Sequence, residues 1–318
     1  MAITFYEDWM KEQVVDLFVE EYKVTKSYFS AFFDQFYDAP FQRENAIRLV
    51  ALEDKTVIGF QSLFYWPLIK NNIKYKSLQS GNSLIHKDHR GKGIFSKLLK
   101  FIDENKAELN IDFLIGFPVD ASLNSFLRKG WINVFNLKWY VKFASVFSVL
   151  TPLKLEKYKQ FDTAKKLITN YNPQFFKLSE DDAFVAWRKG YQNPVNYFNY
   201  EFNEQNQQVQ LCCKVQIRKT YIKEVIIGNI LATDYNKELI RKAINELYKK
   251  LKSKKLATII SIALNESSNI DQLNVIKSLN FKDYNKQIYF ITYPMNINKE
   301  ELIDPKNWEL YRGDIDTW

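Results

Sequence analysis

HKDHRGKGIFSKLLKFIDENK, residues 86–106, is the stretch that decides the fold. It reads as the end of a strand, a basic turn with two glycines, and an amphipathic helix. Apolar residues at 94, 95, 98, 99 and 102 keep helical spacing. Arg90, Gly91, Lys92 and Gly93 crowd the helix start. Free N–H groups at a helix N-terminus point outward, and the helix dipole favours negative charge there. Glycine allows dihedrals closed to other residues and lets the backbone approach an anion. The turn is a candidate diphosphate site.

Working outward, Ile3–Tyr6 reads as a strand, followed by helices near Met10–Glu21 and Lys26–Tyr37. Ile47–Leu52 and Val57–Ile69 form a hairpin pattern around Glu53-Asp54-Lys55. Tyr75–His86 is a strand, Ile94–Leu109 a helix, Phe113–Phe117 a short buried strand, and Ala121–Arg128 a helix stopped by Gly130. Trp131–Phe135 and Lys138–Phe143 read as two closing strands. An antiparallel meander with one strand–helix–strand crossover excludes a doubly wound dinucleotide fold. A P-loop is excluded too: it needs Gly-Lys-Ser/Thr after four intervening residues, and Gly93 is followed by Ile94.

Beyond a connection with a helix over Lys154–Asn170, the same order recurs. Val209–Lys219 pairs with Tyr221–Ala232; helix Lys237–Lys252, strand Leu256–Ile262, helix Asp271–Leu279, and strands Phe281–Tyr284 and Gln287–Tyr293 follow. FLRKGWINVFNLKWYVKF (126–143) echoes VIKSLNFKDYNKQIYFITY (275–293). Internal duplication explains this. Two domains, 1–150 and 151–318, suit a 318-residue chain. Each is expected to be α/β (α+β), a mixed, mostly antiparallel sheet flanked by helices.

Net charge is +8, but no basic run reaches five residues, so the lysines read as a solvated surface and nucleic acid is not expected as a partner. Cys212 and Cys213 are adjacent and make neither a disulfide framework nor a metal-finger pattern. No apolar run approaches the roughly 20 residues of a spanning helix. The N-terminus does not read as a signal peptide, so a cytoplasmic protein without a membrane partner is expected.

The first half resembles the GCN5-related N-acetyltransferase (GNAT) family. That family's signature is Arg or Gln, two residues, Gly, one residue, then Gly or Ala, after a strand and opening a helix. Arg90-Gly91-Lys92-Gly93-Ile94-Phe95 matches it, and Phe113–Phe117, helix 121–128 and Gly130-Trp131 match later elements. Residues 1–145 carry the resemblance well; 151–318 is similar only as a degenerate copy. The resemblance implies acetyl-CoA as acyl donor and no metal. It places the pyrophosphate on N–H groups around Gly91, Gly93, Ile94 and Phe95, with Arg90 and Lys92 adding positive charge. Leu84 and Ile85 would offer strand-edge groups to the pantetheine amides.

The chain departs from the family at Phe95, where Gly or Ala is usual. Phe126 stands where many members carry a Tyr that protonates the leaving thiolate, and Val119 where an Asn is common. His86, Asp88, His89, Asp120, Tyr65 and Tyr75 are candidate bases, none singled out. In the second half, Ala232–Lys237 replaces the glycine turn and includes Asp234, which repels a diphosphate. The second copy is expected to lack a CoA site and to support the first or build the acceptor pocket, with Trp187–Phe202 lining it. The expected activity is acetyl transfer to an amine of a small molecule, of amino-sugar or amino-acid type. The alternatives are a non-enzymatic CoA-sensing protein, or acyl or aminoacyl transfer to a peptidoglycan precursor or a protein. Oligomeric state is not legible.

Overall fold

The computed structural model describes residues 1–150, 173–179, 181–191, 197–233 and 236–316. The helix expected over Lys154–Asn170 lies outside them, as do Asp234 and Tyr235. The chain runs β1 (Ala2–Phe5), α1 (Lys11–Tyr22), α2 (Lys26–Phe36), α3 (Pro40–Arg43), β2 (Ile47–Glu53), β3 (Thr56–Tyr65), β4 (Leu68–Lys70), β5 (Ile73–Tyr75) and β6 (Ser77–Ile85). Next come α4 (Ile94–Glu104), α5 (Lys106–Leu109), β7 (Phe113–Gly116), α6 (Asp120–Leu127) and β8 (Ile132–Phe143). Then follow β9 (Lys177–Leu178), α7 (Asp182–Tyr191), β10 (Tyr197–Glu204), β11 (Gln207–Arg218) and β12 (Ile222–Ala232). α8 (Lys237–Ser253), β13 (Ile259–Leu264), α9 (Ile270–Ser278), β14 (Lys282–Pro294) and α10 (Lys299–Ile303) complete the order.

Two compact units arise, and neither is a continuous stretch. The first comprises Met1–Phe135, Leu178–Gln192 and Tyr289–Asp304; the second comprises Asn136–Lys177, Asn193–Ile288 and Pro305–Trp318. In place of a single cut at residue 150, the halves exchange their last strands. The two short strands expected over 131–143 are one strand, β8, and those over 281–293 are one strand, β14. Asp283–Lys286 looked like a turn because it is polar. It lies on the exposed first part of β14, where Asn285 has φ +52 and its N–H donates to Asp283 Oδ1 at 2.8 Å, a local irregularity within one strand.

The first unit's sheet runs β1-β2-β3-β6-β7-β14, antiparallel except for the parallel β6–β7 pair. The end of β14 closes it, with Ile291 opposite Gly116 and Pro294 opposite Phe113. Helices cover both faces, so β3 is buried at nearly every position instead of alternating. On one face, Ile94, Leu98, Leu99 and Ile102 of α4 pack on Leu49, Leu78 and Leu114. On the other, Phe18 of α1 meets Phe60 at 5.7 Å and Phe36 of α2 meets Phe64 at 5.2 Å, ring to ring. Helix α7 joins this layer: Trp187 Nε1 donates to Phe36 O at 3.0 Å. The expected aromatic lining Trp187–Phe202 is therefore divided. Trp187 fills the first unit's core, while Tyr197, Phe198 and Tyr200 are buried on β10 in the second.

Two further boundaries differ. The helix expected to 109 breaks at Asn105, whose side chain donates to Phe101 O at 2.7 Å and draws the chain out of helix. The strand expected over 57–69 stops at Trp66-Pro67, since proline has no N–H for a ladder. In the second unit the sheet runs β8-β13-β12-β11-β10, and only β12–β13 is parallel. Helix α8 buries Leu239, Ile240, Ile244 and Leu247 in a core shared with Val225, Ile227, Ile260 and Ile262.

Candidate functional site

The site begins at a defect in β6. Phe60 faces Leu84 and Ser62 faces Gly81, so β6 carries one residue more than β3 across this span. That is a bulge, and Asn82 within it has φ +51. The buried Gln61 holds it from below. Its Nε2 donates to Ser62 O at 2.7 Å and to Ser80 Oγ at 3.1 Å, while its Oε1 accepts from Ser83 Oγ. Opposite, the pairing of β6 with β7 ends at Ser80 and Gly116. Beyond that point lies a groove of about 880 Å³. Its walls are Ser80–Ile85, Phe117–Val119, the first turn of α4, and the Ala121–Ser122, Ser125, Phe126 and Arg128 side of α6.

Helix α4 starts at this groove without a side-chain cap; its N-cap is Gly93 at φ +73. The first intrahelical bond runs from Lys97 N to Gly93 O at 3.1 Å. The N–H groups of Ile94, Phe95 and Ser96 precede it and have no partner within the helix. Gly91 has φ +76, and a Cβ on either glycine would meet nothing within 4 Å. Both positions are glycine for their dihedrals, and both leave open space for a ligand.

Of the residues singled out from sequence, Leu84, Ile85, Arg90, Gly91, Gly93, Ile94 and Phe95 line this one groove. Lys92, which is exposed, is not among its lining residues. Arg90 is already engaged: Nε donates to Ile85 O at 3.0 Å, and the guanidinium pairs with Glu21 of α1. One strand-edge carbonyl is thus occupied and part of the Arg90 charge is compensated. Next to it, Glu20 pairs with Lys87 at 2.7 Å and lies 3.4 Å from His86 Nε2. The hydrogen bond and charge of Lys87 hold the Glu20 carboxyl below its ordinary value.

Among the base candidates only His89 touches the groove, and its Nδ1 lies 3.7 Å from Glu53. Tyr65 stacks near Phe41 and Tyr75 near Phe113, both away from the lining, and burial raises both hydroxyls. Asp88 and Asp120 are exposed and outside it. Phe126 is 5% exposed, with its ring against Phe95 at 5.2 Å and Trp131 at 4.9 Å. Sequence reading missed Arg128, Ser122 and Ser125. Positions 121, 122, 125 and 128 keep helical spacing, and that stripe was the available signal.

The second unit repeats the defect but not the groove. Cys212 faces Asn229 and Cys213 faces Ile227, which leaves Gly228 as the bulge. Gly81-Asn82 and Gly228-Asn229 each directly follow the last parallel pair, Ser80 with Gly116 and Ile227 with Ile262. Here, however, the chain's own Tyr311–Asp314 lies in the space beyond the β12–β13 pairs. Tyr311 bridges Leu264, and a Cβ on Gly313 would come within 2.5 Å of Gly228 O. Asn229 Nδ2 lies 3.5 Å from Asp314 Oδ1. The start of α8 is also closed: Asn236 Oδ1 accepts from Glu238 N at 2.9 Å and Leu239 N at 3.3 Å. Among the described residues, no group of His, Cys, Asp and Glu is arranged to hold a metal.

A parallel pair that ends early, a bulged strand and an open helix start together leave a groove able to take an anion at its helix end. Residues 6–124 match the acetyltransferase (GNAT) family. No curated protein matches it by sequence. Solved structures share its fold at low identity. A probable N-acyltransferase of unknown function from Enterococcus faecalis aligns with TM-score 0.61 at 9% identity, over 93% of this chain and 73% of that one. A GCN5-related N-acetyltransferase from Anabaena variabilis gives 0.62 at 10%, again over 93% and 73%. Saccharomyces cerevisiae N-myristoyltransferase with bound myristoyl-CoA gives 0.53 at 12%, over 99% and 85%.

Proposed function

We propose that the first unit binds acetyl-CoA in the β6–β7 groove and transfers the acetyl group to an amine of a small molecule, of amino-sugar or amino-acid type. The observation that carries this is the uncapped start of α4 opening onto the groove beside two positive-φ glycines. Bound acetyl-CoA would supply an acyl group activated as a thioester. The N–H groups of Ile94, Phe95 and Ser96, with the backbone at Gly91 and Gly93, would hold the diphosphate. Arg128 would add a cation from the groove wall, and Arg90 a weaker one because Glu21 shares it. The β6 edge at Leu84 and Ile85 would lie along the pantetheine, with the Ile85 N–H as the group left for an amide, since Arg90 holds the Ile85 carbonyl. Catalysis would rest on alignment of amine and carbonyl. Phe126 has no proton to give; Ser83 already donates to Gln61 and Ser122 to Val119 O, which leaves Tyr22, Ser80, Ser96 and Ser125 as the groove's hydroxyls.

The second unit we read as a copy without a CoA site. Asn236 occupies the N–H groups at the α8 start, and Tyr311–Asp314 occupies the splay. Phe126 favours one other reading, a protein that senses CoA without turnover.

Thermal shift with acetyl-CoA tests binding. Stabilisation is expected in the native chain and largely lost in Gly93→Asp, whose carboxylate would enter the anion site. Equal stabilisation of that variant overturns the assignment. Thiol release across a panel of small amines tests transfer, and silence with binding intact favours the sensing role.

A further inference from the structure

Where the pairing of β6 with β7 ends, the first unit's groove holds a hydroxyl with a proton to spare. Ser80 lines the groove there and is 7% exposed. The direction of the buried Gln61 amide beside it is fixed. Ser62 O can only accept, so the atom 2.7 Å from it is Nε2, the donor. The second Nε2 proton goes to Ser80 Oγ at 3.1 Å, and Ser83 Oγ donates to Oε1 on the other side. Ser80 is thus an acceptor toward Gln61, and its own proton has no acceptor among the described residues. A hydroxyl that accepts one hydrogen bond becomes a stronger donor of the next.

The second unit shows that ending a parallel pair needs no hydroxyl. Its last such pair is Ile227 with Ile262, and Ile227 is buried in the apolar core. The polar side chain stands in the unit whose groove is open. Length brings the reactive end of acetyl-CoA to it. Arg90 Nε donates to Ile85 O at 3.0 Å, so the glycine turn sits beside Ile85. From Ile85 back to Ser80, β6 spans about 15 Å, allowing for the bulge. Extended backbone covers about 3.3–3.6 Å in three bonds, so the arm of CoA, about thirteen bonds from phosphorus to sulphur, also spans about 15 Å.

We propose that Ser80 is a catalytic residue that donates a hydrogen bond to the thioester carbonyl oxygen; this rests on reading the groove as an acetyl-CoA site. The amine nitrogen bonds to the carbonyl carbon, and the C=O electron pair moves onto oxygen, where the Ser80 O–H stabilises the charge. The pair then returns, the C–S bond breaks, and the sulphur leaves with its electrons. The nitrogen gives one proton to water, and the thiolate takes one from water. Ser80 keeps its own proton throughout. A serine hydroxyl is too weak an acid to protonate a thiolate, so it does not replace the donor missing at Phe126. Gln61 is a positioning residue, because its amide turns the Ser80 proton toward the groove.

The test is isotope-edited difference infrared spectroscopy of the full chain with acetyl-CoA labelled at its carbonyl carbon, and calorimetry for affinity. The bound carbonyl band is expected to move to higher frequency in Ser80→Ala, and also in Ser80→Cys, whose thiol fills the site but is a weak donor. Affinity for acetyl-CoA is expected to stay within about threefold of native, since the bond matters most once charge develops. Thiol release to hydroxylamine, a small nucleophile that needs no acceptor pocket, is expected to slow about a hundredfold in both variants. A band that keeps its native frequency in Ser80→Ala, or an unchanged rate with hydroxylamine, overturns the proposal and leaves the acetyl-CoA reading in place. Affinity lost in both variants overturns it too, because Ser80 then shapes the groove. A native chain that does not bind acetyl-CoA overturns that reading and this proposal with it.

Discussion

The ring of Phe95 meets that of Phe126 edge to face, with centroids 5.2 Å apart and planes at 83°. These are two of the three positions at which the first half departs from the GNAT pattern, Val119 being the third, and in the fold the two are one contact. A small residue at 95 would leave a void beside 126, and a hydroxyl at 126 would point into aromatic packing. Phe126→Ala is expected to cost about 3–5 kcal/mol. A double-mutant cycle with Phe95→Ala is expected to return a coupling of about 0.5–1.5 kcal/mol by denaturant unfolding. A coupling near zero would mean that the two departures are independent.

The pairing of Arg90 with Glu21 sets a prediction for cofactor affinity. Glu21→Gln removes the carboxylate that shares the guanidinium at the groove rim. Acetyl-CoA is expected to bind about two- to fivefold more tightly, the scale of an exposed ion pair. Calorimetry reads this directly, and weaker binding would show Glu21 to be a ligand contact instead.

Gly81 tests the bulge. A Cβ there would stand 2.6 Å from Phe64 Cε1, and Phe64 is fully buried between Phe36 and Trp66. Gly81→Ala is expected to destabilise by about 1–3 kcal/mol and to impair acetyl-CoA binding. Gly91→Ala, with open space around it, carries only the positive-φ cost, about 1–2 kcal/mol.

Alkaline pH should loosen the first unit. Burial pushes Tyr6 up to about 12, with Arg48 opposing and Asp38 assisting. Burial and the hydrogen bond to Asp103 push Tyr293 up to about 12. An unfolded tyrosine titrates near 10. The folded state holds these protons more tightly, so the contribution is full below pH of about 10 and declines as pH rises toward about 12. Thermal midpoints across that window are expected to fall, and Tyr6→Phe with Tyr293→Phe should flatten the fall.

Much of this was legible from residues 80–106. The turn, its two glycines and the helix period name an anion site because each rests on local chemistry. The recurrence of Gly81-Asn82 as Gly228-Asn229 was in the sequence too, yet a two-residue echo becomes informative only once both are seen as bulges. Lys92 and Arg128 differ in how sequence and fold place them. Proximity in sequence to the glycine turn suggested Lys92, while folding brings Arg128 to the groove from α6. The exchange of β8 and β14 was illegible, since alternation along NVFNLKWYVKF sets which face is buried and says nothing about which strand lies beside it.

That exchange has a consequence during synthesis. The edge of β7 that receives Ile291–Pro294 is made some 175 residues before its partner. At about 5–20 residues per second, a ribosome needs roughly 10–35 s to deliver it. Until then the nascent first unit presents an unpaired strand edge, a template for wrong pairing. Neither half of the chain contains a whole unit, and a chaperone that shelters that edge would raise the yield of the whole chain.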